Sequence, residues 1–176
     1  MVELHEPPNL DELSEDEQVR EVYAWAGLAL YYAQVVEHGL VNLVFFARLT
    51  DPTLPEEFKS ADEFFEAQFR RVMGQTVRAV RKHVDVDDSL DSRLAEALRL
   101  RNFIAHEFFR ERIELFMYQE GRRLMLAELG QTVRHLKDLD EELETLVVAL
   151  GAPYGVSAAR IAEMMNHMPA SARPAT

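Results

Sequence analysis

The stretch RLRNFIAHEFFRER, residues 99–112, places three side chains that can handle a phosphate close together: Arg101, Asn102 and His106. A histidine that titrates near neutrality can take a proton from a ribose 2′-hydroxyl or give one to a leaving oxygen. An arginine can grip a phosphate through two parallel hydrogen bonds and stabilise the charge that develops during attack. Asn102 and His106 stand four residues apart, so on a helix the amide is placed to orient the imidazole, and Arg99 lies on their side. Such a set points to phosphoryl transfer from RNA. The competing reading is a solvated edge beside a buried helix face.

Spacing favours the first reading. Leu90, Leu94, Leu98, Arg101, Ala105 and Phe108 follow the 4-4-3-4-3 rhythm of a packed seam, with Arg101 where a leucine is expected. A buried guanidinium needs a carboxylate, a phosphate or a way out to water. Residues five apart on an ideal helix point roughly 140° apart, so one Arg101 and His106 pair does not converge unaided. A curling arginine, a distorted helix or two copies meeting across a two-fold axis would each solve this. The last predicts a homodimer with a composite site.

The elements that must position these residues read as helices throughout. Residues 1–13 are expected to be a flexible acidic leader. Ser14 with Glu17 forms a capping box that opens a long apolar helix to about Leu49. TDPTLPEE breaks it, because prolines this close do not fit a helix interior. Ser60 and Glu63 repeat the pattern for a second helix to about Val84, Ser89 caps a third from Leu90 to about Phe109, and a fourth runs from about Glu120 to Leu150. Gly151 and Pro153 stop it, a short helix follows over 157–167, and 169–176 is read as a disordered tail. The expectation is an all-α, up-and-down bundle of four to five helices, with long first and fourth helices, folded as one domain over residues 14–168.

Two further features bear on function. On the first helix Gln34, His38 and Asn42 recur every four residues with Glu37 beside them, a polar strip on an otherwise apolar helix. It either faces solvent or lines a cavity with another helix, where Glu37 would support the site or pair with Arg101. Residues 67–84 carry Arg70, Arg71, Arg78, Arg81 and Lys82 with no acid, and Arg71, Arg78 and Lys82 share a face. That face is either solvated or a phosphate track leading to the motif, with Arg99 on the way. The formal net charge of −12 argues against binding nucleic acid by charge alone.

The chain excludes much else. It has no cysteine, which removes disulfides and thiolate metal sites and fits a cytoplasmic protein. HEFFR lacks the second histidine of a zincin, no E-x-x-H occurs, and there is no phosphate-binding glycine loop or G-x-S-x-G elbow. Glu163 with His167 reads as a surface pair, and His5, His83 and His135 as solvated. The uncharged run from Val22 to Val36 is shorter than a membrane span, so neither a membrane nor a metal or other cofactor is expected.

Arg101-Asn102-Phe103-Ile104-Ala105-His106 resembles the R-x4-H signature of the HEPN superfamily, in its form with Asn after the Arg. The resemblance implies a helical bundle that dimerises through the motif helix. It also implies a metal-independent endoribonuclease of a toxin–antitoxin or phage-defence system, with Arg101 and His106 catalytic and Asn102 supporting them. It further implies a cognate antitoxin, of nucleotidyltransferase type in one HEPN group. That group carries a modifiable tyrosine two residues after the histidine; here the position is Phe108, which has no hydroxyl to modify. The alternatives left open are a non-catalytic HEPN-like module that binds nucleotide, RNA or a protein partner, and an unrelated bundle in which Arg101 is an internal ion-pair partner.

Overall fold

The computed structural model describes residues 6–50, 60, 63–65, 67, 73–157 and 159. Among them the regular elements are helices: α1 (Glu15–Thr50), α2 (Met73–His83), α3 (Asp88–His106), α4 (Phe108–Glu111), α5 (Ile113–Phe116) and α6 (Gln119–Gly151), with 3-10 turns at Leu10–Glu12 and Ala152–Tyr154. The all-α expectation holds. The short last helix and the tail lie outside the described residues, apart from Ser157 and Ala159.

α1 begins where its local sequence directs. The Ser14 amide and hydroxyl donate to the Glu17 carboxylate at 2.8 and 2.6 Å, and the Glu17 amide donates back to Ser14 Oγ at 3.4 Å. These bonds to Ser14 hold the Glu17 carboxyl below its ordinary range. Ser60 Oγ accepts from the Glu63 amide at 3.2 Å in the same way. α3, by contrast, is capped by Asp87, whose carboxylate accepts from the Leu90 amide at 2.7 Å, rather than by Ser89.

The core is built along α1. Val22, Ala26, Ala29, Ala33, Val36, Leu40, Leu43 and Ala47 are all buried and alternate four and three apart, which gives one continuous seam. α6 lies against that seam and runs parallel to α1. Arg122 Nε donates to Gln18 at 3.1 Å near one end, Gly39 faces Leu143 midway, and the Tyr154 hydroxyl donates to the Leu49 carbonyl at 2.6 Å at the other. α3 runs the opposite way, since Arg93 pairs with Glu142 while Arg112, beyond its C-terminus, pairs with Glu128 at 2.9 Å. α2 flanks the first half of α3, with Gly74 against Leu98 and Arg81 paired with Asp91. Two apolar clusters result. The upper one gathers α2, the N-terminal half of α3 and the later turns of α1 and α6; the lower gathers Ile104, Phe108, Val22, Met125 and Leu129.

The expected loose leader is instead docked over residues 9–13. Leu10 is 1% exposed within the lower cluster. Gln18 Nε2 donates to the Leu10 and Leu13 carbonyls at 3.0 Å each, and Asp11 accepts from Gln119 and Arg123 at 2.8 Å. Burying one leucine is worth about 1.5–3 kcal/mol, enough to hold a short segment once its carbonyls are satisfied. By length and composition α1 could cross a membrane, with a mean hydropathy of 1.2 over its most apolar window, but one whole face of it is this core.

Asp140, half-buried on α6, makes no ion pair among the described residues. Burial raises its carboxyl above the ordinary aspartate value, with Glu144 and Glu141 adding to the effect. A raised folded-state value means the charged form is disfavoured by folding. The associated stability is fully present below the unfolded value and is lost as pH rises through the folded one. Asp140→Asn should therefore raise the melting temperature at pH 7, and melts at falling pH should show the gain vanish in the ordinary aspartate range.

Candidate functional site

α3 carries Arg101 in a seam, though by a different register from the one the sequence suggested. Leu90, Leu94, Ala97, Ile104 and Phe108 are buried, and Arg101 fills the gap between Ala97 and Ile104 in their 4-3-4-3-4 spacing. Leu98 is half-buried and Ala105 exposed, so the seam passes one residue to the side of both. Arg101 itself is half-buried. Its Nη1 donates to Asn102 Oδ1 at 3.2 Å.

The chain holds 31 acidic residues against 19 basic ones. Of the arginines from Arg93 to Arg112, Arg93 pairs with Glu142, Arg99 with Glu96, Arg110 with Glu111 at 3.9 Å and Arg112 with Glu128. Among the described residues Arg101 has no carboxylate within ion-pair distance. Glu37, the partner considered from sequence, is half-buried on α1 near the level of Leu143 and so of Arg93. That is eight residues, or roughly 12 Å, along α3 from Arg101. The strip around it faces outward: Gln34 and His38 are exposed and Asn42 half-buried.

His106 is the last residue of α3 and is exposed. The expected amide–imidazole contact is not made: Asn102 Oδ1 is taken by Arg101, and no hydrogen bond joins Asn102 to His106. The helix ends at His106, three residues before the expected Phe109, with Glu107 at φ −125° and ψ −33°. Phe108 is fully buried beyond the break, with the Phe103 ring 5.9 Å away edge-on. Arg101 thus belongs to the seam and His106 to an outer strip with Asn102 and Ala105, as their spacing requires.

The expected phosphate track does not assemble beside them. Arg71 lies outside the described residues. Arg78 and Lys82 are exposed on α2, but Arg81 is paired with Asp91, which sets Lys82 near the start of α3. His106 is 15 residues beyond Asp91, roughly 22 Å along the axis. Arg99 is clamped by Glu96 through two bonds of 2.8 and 2.6 Å, which hold the Glu96 carboxyl below its ordinary range. The pair opens a groove of about 320 Å³ between α3 and α6, with Glu128, Gln131 and His135 on its other wall. His135 is half-buried rather than solvated, and its Nε2 is sealed from water without a partner among the described residues.

Sequence reasoning missed an aromatic cluster at the lower end. Tyr23 of α1, 55% exposed, has the Phe109 ring at 5.2 Å and the Phe116 ring at 5.5 Å, while the Arg112 guanidinium stands 5.1 Å over Phe103. The doublet Phe108-Phe109 was visible, but only the break at Glu107 sends one ring to the core and the other toward the surface.

The chain matches no protein-family model, no curated protein and no solved structure. The residues of α3 offer an arginine steadied by its neighbour, with no carboxylate at ion-pair distance among the described residues, and an open imidazole on another face of the same helix.

Proposed function

We propose that this chain is a HEPN-like, metal-independent endoribonuclease that works as a homodimer, with Arg101 and His106 catalytic and Asn102 positioning the arginine. The observation that carries this is the half-buried Arg101 with no carboxylate at ion-pair distance among the described residues, while the other arginines of α3 and α4 are all paired. An unneutralised, partly desolvated guanidinium is a strong place for a phosphate. In the reaction the 2′-hydroxyl attacks phosphorus, the bond to the 5′-oxygen breaks, and a 2′,3′-cyclic phosphate forms. One imidazole takes the proton of the attacking hydroxyl and another protonates the leaving oxygen. Two copies of His106, brought together across a two-fold axis, would supply both, with the two Arg101 side chains on the phosphate between them. A toxic or phage-defence role in the cytoplasm, restrained by an antitoxin, follows from the resemblance. A nucleotidyltransferase would have to act elsewhere than on Phe108, which is buried and has no hydroxyl.

The test is cleavage of a 5′-labelled single-stranded RNA in EDTA, with product ends identified and a His106→Ala preparation run in parallel. Cyclic phosphate ends from the wild type alone are expected. Absent cleavage, or equal cleavage by both preparations, sinks the assignment.

A further inference from the structure

His106 does not stand alone on its strip. Asn102, His106 and Phe109 follow one another at four and three residues, with the break at Glu107 between the last two. Phe109 lies three residues beyond His106, in the first turn of α4. Its ring is backed edge-on by the buried Phe108 at 5.2 Å and carries Tyr23 at 5.2 Å on its outer side. Tyr23 is held from a second direction by Phe116 and remains 55% exposed. A large ring fixed by two others, yet half open to water, is pre-organised for another flat ring. The cost of ordering it has already been met by the fold. Arg110, the residue after Phe109, is 73% exposed and pairs with Glu111 at 3.9 Å.

We propose that Tyr23, backed by Phe109 and Phe116, is the stacking platform for an unpaired base of the RNA whose neighbouring phosphate is cut at Arg101 and His106. The proposal rests on the ribonuclease reading and sharpens it to single-stranded substrate. The charge balance favours such a platform. At −12 the chain gains little from neutralising a run of phosphates, so affinity must come from contacts that do not depend on net charge. Base–aromatic stacking is such a contact, and it requires bases that are free of a partner strand.

The experiment uses the full chain carrying His106→Ala, so that the RNA stays intact, and follows a fluorescein-labelled mixed-sequence decamer by polarisation. The single strand is expected to bind more tightly than the same sequence as a duplex. Adding Tyr23→Leu is expected to weaken the single strand by about 5- to 150-fold, whereas Tyr23→Phe keeps the affinity. The dependence of log affinity on log salt is expected to be shallow, no steeper than about −2, as for two or three phosphates. Tyr23→Phe should melt with its parent, and Tyr23→Leu, which gives up two ring contacts, should stay folded and melt within a few degrees of it because Tyr23 is half open. Equal affinity of the Leu and Phe variants, or a duplex bound as tightly as the single strand, overturns the platform. If that happens while wild type still cleaves RNA, the nuclease assignment stands without it. If wild type neither cuts RNA nor binds it as the His106→Ala form, both fall.

Discussion

Replacing His106 by alanine is expected to lower RNA cleavage by about 10²–10⁴-fold, the range that one positioned acid or base contributes. The same change should leave the fold almost untouched. His106 is exposed at the end of α3 and makes no hydrogen bond or ion pair among the described residues. Surface changes of this kind stay within about 0.5 kcal/mol, or 1–2 °C in a chain of this size. A cation at a helix C-terminus adds a few tenths of a kcal/mol at most when it is open to water. The substitution thus separates two roles that are otherwise hard to part. A catalytic imidazole loses turnover at constant melting temperature and nearly constant RNA affinity. A structural one loses several degrees. Two imidazoles acting as base and acid should also give the wild type a bell-shaped dependence of rate on pH. Arg101→Lys is the complementary variant, because it keeps the charge but gives up the planar fork that grips two oxygens. It should lose activity nearly as far as Arg101→Ala if phosphate is the arginine's partner.

What could be read from the sequence was whatever neighbouring residues decide among themselves. The Ser14–Glu17 box is such a case, since both partners lie within one turn and need nothing from the rest of the chain. The rhythm of α1 was legible for the same reason, as was the presence of a helix around Arg101. The cap of α3 was less so. DVDDSL offers Asp87, Asp88 and Ser89 as candidates of similar merit, and the choice falls to the position whose first turn buries Leu90 and then Leu94. The seam of α3 had a similar ambiguity: Leu98 and Ala105 fit an apolar stripe as well as Ala97 and Ile104 do, and only the neighbouring helices select between them. Docking of Leu10 depends on Gln18 and α6, more than a hundred residues away in the second case, so no local pattern announces it. That no acid of the described residues reaches Arg101 belongs with these. It is a fact about which side chains the fold brings near, whereas the sequence shows only that acids abound.

Gly27→Ala and Gly121→Ala should move stability in opposite directions, although both place a methyl group on a helix. Gly27 lies in the exposed middle of α1, and an added Cβ there meets nothing within 4 Å. Removing the entropic burden of an interior glycine is worth about 0.8–1 kcal/mol, so a rise of roughly 2–4 °C is expected. Gly121 sits in the first turn of α6, where the chain leaving α5 passes directly over it. A Cβ at this position would overlap the Leu115 carbonyl oxygen and lie 2.6 Å from its carbon. These are backbone atoms, so no rotamer change relieves the clash, and the elbow over residues 115–118 must shift. That elbow is tied to the next residue: buried Arg122 donates to the Phe116 carbonyl at 3.0 Å and to Gln18 on α1 at 3.1 Å. Moving it far enough to admit a methyl group pulls the Phe116 carbonyl away from a buried guanidinium, and an unsatisfied buried partner costs about 1–3 kcal/mol beyond the strain. A loss of at least 3 kcal/mol, seen as a fall of about 6–12 °C or as failure to fold, is the expected result by thermal or urea melting. A Gly121→Ala protein that melts with the wild type would show that the α5–α6 elbow does not have this close backbone approach. The route from the motif helix back into the core would then have to be redrawn.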